Sequence, residues 1–145
     1  FALQDAPFWR MVWEYDVQVL AMLTNLEEQG RPKCAQYWPA KTGAKNKTKY
    51  GDYQVILQFC TDSPCYVTRG MTLKHLPSSK ERFIYQLQYT DWPDHGCPEN
   101  IHGFLTYFDE IESVCRLALS ESPEGIATPV VVHCSAGVGR TILKG

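Results

Sequence analysis

The chain has 145 residues, a length that suits one domain. An apolar share of 44% and an aromatic share of 12% can fill a hydrophobic core, while a formal charge of −2 gives no support for nucleic-acid or membrane-surface binding, which would want a basic excess. No apolar run approaches the length needed to cross a bilayer, so direct membrane insertion is not expected.

Asp5-Ala6-Pro7 predicts a helix start, with Asp5 as cap and Pro7 in the first turn. Phe8, Trp9, Val12 and Trp13 follow at helical spacing and make one buried stripe. Val17 to Leu23 is a short apolar run and reads as a buried strand. Glu27 to Lys33 holds Gly30 and Pro32 and reads as a loop; lysine-rich 41–49 reads as a solvated surface loop. Tyr53 to Phe59 and Tyr66 to Leu76 are rich in β-branched and aromatic residues and predict strands. Phe83, Tyr85, Leu87 and Tyr89 alternate with Arg82, Gln86 and Gln88, which predicts another strand, with Ile84 breaking the pattern. Asp91 to Pro98 is a loop. Phe104, Leu105, Phe108, Ile111, Val114 and Cys115 then repeat at helical spacing and predict a long amphipathic helix from Ile101. Ser120 to Thr128 reads as a linker, and Val130 to Val132 as a short buried strand. Strands grouped between helices predict an α+β fold, α/β-like in having a twisted mixed sheet flanked by helices.

The six cysteines are Cys34, Cys60, Cys65, Cys97, Cys115 and Cys134. Their spacings are irregular and no signal peptide is recognisable, which predicts reduced thiols in an intracellular, cytoplasmic protein. Cys60-x4-Cys65 lacks a matching Cys/His pair, so no zinc site is expected. Asn46-Lys47-Thr48 matches a glycosylation sequon, but in a cytosolic protein it is a plain polar loop.

The run from Val130 to Thr141 reads VVVHCSAGVGRT. A strand that feeds a glycine-bearing turn and then a helix is an anion-binding design, because successive backbone N–H groups converge on one point and the helix N-terminus adds positive potential. Gly137 and Gly139 permit close approach of an oxyanion; Ser135, Ala136 and Val138 supply further amides. Such a ring also favours the thiolate of Cys134 over its thiol. Arg140 completes the ring, since its planar fork can hold two phosphate oxygens at once. The chemistry expected is attack of Cys134 on phosphorus, with the amides of Ser135 to Arg140 and the Arg140 guanidinium holding the equatorial oxygens. His133 either tunes the thiolate through hydrogen bonds or is a buried histidine satisfied by backbone. Thr141 either offers its hydroxyl to the sulfur or merely starts the helix.

Such an attack expels an alkoxide or phenoxide, which leaves far better when protonated, so a general acid is expected. Trp92-Pro93-Asp94-His95-Gly96 supplies a carboxylate on a loop able to close over substrate. Asp94 would act as acid first and as base for hydrolytic water second. Taken by itself this segment reads rather as a turn capped by Asp94 after Pro93.

Together the two segments resemble the phosphotyrosine-specific protein tyrosine phosphatases: HCSAGVGRT is similar to their signature loop and WPDHG to their movable acid loop. Phe8 to Glu14 (FWRMVWE) resembles their early helix, and Lys33 to Pro39 (KCAQYWP) another shared segment. Cys97 to Arg116 is similar to the cytosolic members that carry a band-4.1-type membrane-skeleton domain. The resemblance implies that Glu28 pairs with Arg140, that Lys33 meets Asp94 on loop closure, and that Trp92 couples closure to Arg140. It implies phosphotyrosine-containing proteins as substrates and requires no metal or other cofactor, since arginine and amides carry the phosphate charge. The first residue is Phe1 and the last Gly145, and the family's substrate-recognition and glutamine-bearing loops are not found in between; the sequence therefore predicts a truncated catalytic domain, weakly active or inactive alone. Ile142 stands where the family continues with glycine. A phosphatase acting on phosphoserine or phosphothreonine, a non-catalytic phosphotyrosine binder and a redox-sensing thiol are the competing readings.

Overall fold

The computed structural model describes residues 5–25, 27–28, 31–32, 36–92, 99–122 and 129–134. Its elements are α1 (Asp5–Glu14), β1 (Val19–Met22), β2 (Glu27–Glu28), β3 (Arg31–Pro32), a 3-10 turn (Ala44–Asn46), β4 (Thr48–Tyr50), β5 (Tyr53–Asp62), β6 (Tyr66–His75), β7 (Lys80–Tyr89), α2 (Ile101–Glu121) and β8 (Val130–His133). Six strands form one mixed sheet in the order β4-β5-β6-β7-β1-β8. From β4 to β7 the pairing is antiparallel, whereas β1 pairs in parallel with both β7 and β8. The fold is α+β, as the order of elements predicts.

Side-chain alternation sorts the core into two layers. On one face Leu20, Met22, Val55, Leu57, Met71, Leu73 and Ile84 pack with Phe8, Trp9 and Val12 of α1 and with Tyr37 and Trp38. On the other, Val19, Tyr85, Leu87, Tyr89 and Cys134 pack with Tyr107, Val114 and Ala118 of α2. Helix α1 ends where Asp16 turns left-handed at φ 54°, and the Val17 amide closes back on the Val12 carbonyl at 3.0 Å.

Four differences from the sequence reading have physical causes. The segment read as a loop at 27–33 contains a short ladder, β2 against β3, with Glu28 opposite Arg31 and Glu27 opposite Pro32; a two-pair hairpin tolerates the proline that argues against a longer strand. The lysine-rich loop is exposed but ends in β4, an edge strand paired with β5. Strand β7 is buried on both faces from Ile84 onward, so Ile84 is core and not an irregularity, and Gln86 and Gln88 are interior polar groups. In α2 the buried positions are Gly103, Tyr107, Val114 and Ala118, whereas Leu105 is 56% exposed; the buried stripe centres on Tyr107, about 70° round the helix from the face that includes Leu105 at 3.6 residues per turn.

Candidate active site

The three parallel strands β7, β1 and β8 all end at the same edge of the sheet. In open sheets of this kind that edge is where ligand sites form. Strand β7 ends at Tyr89 and feeds Trp92; β1 ends at Met22 and leads toward Glu28; β8 ends at His133, immediately before Cys134. Backbone and side-chain bonds tie the three exits together. Leu23 N donates to His133 O at 2.9 Å, Gln88 Nε2 donates to Thr24 O at 3.1 Å, and Asn25 Nδ2 donates to Thr90 O at 3.4 Å.

Alternation at the end of β8 sends successive side chains to opposite faces. Cys134 is 3% exposed and belongs to the layer that also holds Leu23, Tyr89 and Tyr107, with Trp92 packed against it. Trp92 is fixed edge-on against Tyr89 and Phe104, at centroid distances of 6.3 and 5.7 Å. His133 goes to the other face, where its ring lies edge-on to Phe8 and Tyr37 at 5.9 and 5.3 Å. Its Nε2 is 2.7 Å from the Tyr37 hydroxyl. Burial pushes its pKa down to about 4, against a smaller upward pull from the Cys134 backbone. The ring is therefore neutral at pH 7; its Nε2 meets Tyr37, and its buried Nδ1 has no hydrogen-bond partner among the described residues.

Tyr37 is in turn held from β7. Gln86 Nε2 donates to its hydroxyl at 2.8 Å, and Gln86 Oε1 accepts from Arg69 Nη1 at 2.8 Å. Arg69 Nη1 also donates to Gln88 Oε1 at 2.8 Å, and the guanidinium stacks over Trp38 at 4.6 Å. Sequence reasoning did not reach Arg69, Gln86 or the role of Tyr37. The available signal was slight: Gln86 and Gln88 alternate within the mostly apolar stretch from Phe83 to Tyr89, a pattern that fits a solvated face as well as a buried one, and buried glutamines need partners.

A second cluster brackets the acid-loop segment. The Cys65 thiol donates to Asp91 Oδ2 at 3.8 Å, ahead of the segment, and accepts from Asn100 Nδ2 at 3.5 Å, behind it. Asn100 also caps α2, its Oδ1 accepting from Gly103 N at 2.9 Å. Burial and the neighbouring Asp91 carboxylate push the Cys65 pKa up, which keeps the thiol protonated.

The structure thus brings His133, Cys134 and Trp92 to one edge. Glu28 lies in β2, with only its backbone described, opposite Arg31. Lys33, Asp94, Ser135, Ala136, Gly137, Val138, Gly139, Arg140 and Thr141 lie outside the described residues. Cys60, Cys65, Cys115 and Cys134 form no disulfides. Among the described residues no group of three His, Cys, Asp or Glu side chains is placed to hold a metal ion, and no helix is long and apolar enough to cross a membrane.

The chain is similar in sequence to known proteins. The human tyrosine-protein phosphatase non-receptor type 14 is 55% identical over 137 residues, which cover 92% of this chain and 12% of that protein. The rat non-receptor type 21 protein is 51% identical over 135 residues, again 92% of this chain and 12% of the relative. The chain thus spans about an eighth of the length of these curated relatives, 12% in each case. The sequence profile described as "Protein-tyrosine phosphatase" matches residues 5–143, nearly end to end. With β8 delivering Cys134 to the head of HCSAGVGRT and β7 delivering Trp92 to the head of WPDHG, the chain belongs to the protein-tyrosine phosphatase family.

Proposed function

We propose that the protein hydrolyses phosphotyrosine in other proteins through a phosphocysteine intermediate, with residues 1–145 forming part of one catalytic domain. The Cys134 thiolate attacks phosphorus, forming the S–P bond as the P–O bond to tyrosine breaks. Asp94 protonates the departing phenolate oxygen. Water then attacks phosphorus, Asp94 takes its proton, the S–P bond breaks, and inorganic phosphate leaves with the thiolate restored. Arg140 and the amides of Ser135 to Arg140 hold the equatorial oxygens through both steps. By the family resemblance, Thr141 offers its hydroxyl to the Cys134 sulfur, Glu28 orients Arg140, Lys33 meets Asp94, and Trp92 links loop closure to Arg140.

The observation that carries this reading is the position of Cys134: buried just past the end of β8, which pairs in parallel with β1 at one side of the sheet, and followed at once in sequence by a glycine-bearing run that closes on Arg140. The experiment is rapid quench of the protein with a phosphotyrosine peptide, followed by mass spectrometry. Phosphate on Cys134, accumulating in Asp94→Ala and absent in Cys134→Ser, is the expected result. Turnover that survives Cys134→Ser overturns the assignment.

A cytoplasmic location and membership of the band-4.1-type subgroup belong to the same proposal. They are supported by the Cys97 to Arg116 stretch and by identities of 51–56% with relatives named non-receptor types 14 and 21.

A further inference from the structure

Arg69 stands two side chains away from His133, and the direction of every hydrogen bond between them follows from one fact. A guanidinium has five N–H donors and no acceptor. Each glutamine that meets Arg69 must therefore answer with its carbonyl oxygen, as Gln86 and Gln88 do at 2.8 Å. That fixes which way the Gln86 amide faces, a choice its near-symmetric shape otherwise leaves open. Its NH2 end then points at the Tyr37 hydroxyl, 2.8 Å away. The hydroxyl accepts there, and its one remaining proton is the donor we assign to the 2.7 Å contact with Nε2 of His133. A ring nitrogen that accepts carries no hydrogen, so the neutral imidazole holds its proton on Nδ1. Nδ1 itself is buried and meets no hydrogen-bond partner among the described residues, so the contact at Nε2 is the one that decides the tautomer.

Arg69 is half-buried, and burial lowers its pKa. It lies over Trp38 with the Cys60 thiol and the Asp62 carboxylate nearby, and none of the ion pairs among the described residues includes it. Partial desolvation of a cation is costly, and the fixed directions of its N–H groups are what the two glutamines answer.

We propose that Arg69 is a positioning residue that sets the tautomer of His133, the residue immediately before Cys134, by way of Gln86 and Tyr37. The tautomer itself does not depend on the function proposed above; its effect on turnover does rest on that reading.

Gln86→Glu tests the relay. A carboxylate has two acceptors and no donor, so it accepts from Arg69 and from Tyr37 together. The Tyr37 oxygen must then accept from Nε2–H, and the proton leaves Nδ1. Gln88→Glu adds the same charge beside Arg69 but faces the Thr24 carbonyl, so it leaves the ring unchanged. The readout is long-range 1H–15N correlation on histidine-labelled protein, which has four histidines, with His133→Gln assigning the signal. The expected result is a protonated Nδ1 in wild type and Gln88→Glu, and a protonated Nε2 in Gln86→Glu. A wild-type proton on Nε2, or no change in Gln86→Glu, overturns the proposal. If Gln86→Glu does not fold, Arg69→Lys and Arg69→Met decide: lysine, also donor-only, keeps a single Nδ1–H tautomer, whereas methionine frees the Gln86 amide and yields a mixture. A single tautomer in Arg69→Met counts against the relay.

In turnover, Gln86→Glu should lower kcat on the order of 10–100-fold with KM nearly unchanged, the size typical of partners that orient a functional histidine. Phosphate capture on Cys134 in wild type is measured alongside. Loss of that capture refutes the proposed function, while an unmoved tautomer refutes the relay alone.

Discussion

The Tyr37 hydroxyl meets Nε2 of His133 at 2.7 Å across 96 residues of sequence. This contact links the KCAQYWP segment to the strand that carries Cys134, and both partners are buried. Tyr37→Phe removes the oxygen but keeps the ring, so packing against Phe8 and Trp38 survives. The loss leaves Nε2 of His133 and the Gln86 amide facing a hydrocarbon. Stranded buried polar groups cost about 1–3 kcal/mol each, so the variant should lose at least about 1 kcal/mol of stability. Urea denaturation measures this; an unchanged midpoint would show that the hydroxyl contributes nothing.

His133 also predicts a pH dependence. Its folded pKa is lowered to about 4 from an ordinary 6.5. Between these values the unfolded chain binds a proton that the folded chain refuses, so the protein loses stability as pH falls through that window. The linkage relation puts the loss between pH 7 and pH 5 at about 2 kcal/mol from this group. Thermal melts of wild type and His133→Gln should diverge in this way: the wild type drops more steeply between pH 6.5 and 4. Parallel curves would mean that the ring is protonated in the folded protein.

Gly103 lies so close to Cys65 and Asn100 that a methyl group added there would sit 2.5 Å from Sγ and 2.7 Å from Nδ2. Gly103→Ala should therefore disturb both the cap of α2 and the thiol that joins the two sides of the acid-loop segment. Overpacking of this kind costs about 1–3 kcal/mol. Cys65→Ala opens the space, so the double variant should recover a good part of the loss, a coupling that a double-mutant cycle detects. Additive effects would show that the contact with Cys65 is not what excludes a side chain at 103.

The fold was legible wherever one periodicity ran long enough. Helix α2 and strands β5 and β6 follow their patterns, and β1 follows from a bare apolar run. Strand β7 was legible as a strand but not as an interior one, because its polar residues looked like a solvated face. Their burial depends on Tyr37, Trp38 and Arg69, which come from other parts of the chain. The proposed phosphate loop needs no register to be read, because its residues follow one another in sequence from His133 to Thr141. The network behind it does need one. Arg69 and Gln86 become neighbours only through the register of β6 on β7, where they are directly opposite, and a register is set by the whole sheet.

Arg140 gives the sharpest test of the phosphate ring. Lysine at this position would keep the charge but lose the planar fork, so it could meet one oxygen at a time. If charge alone stabilised the transition state, Arg140→Lys would retain most activity and Arg140→Ala would lose it. In the geometry proposed here both should fall, since removing a donor aimed at a developing oxyanion costs on the order of 10²–10³ in kcat. The two substitutions should also differ in how they bind product: lysine retains part of the affinity for inorganic phosphate or vanadate, alanine little of it. Steady-state kinetics on an aryl phosphate, paired with vanadate inhibition, separates the effects. Near-wild-type kcat in Arg140→Lys would reduce the guanidinium to a point charge and remove the reason for an arginine at the end of the loop.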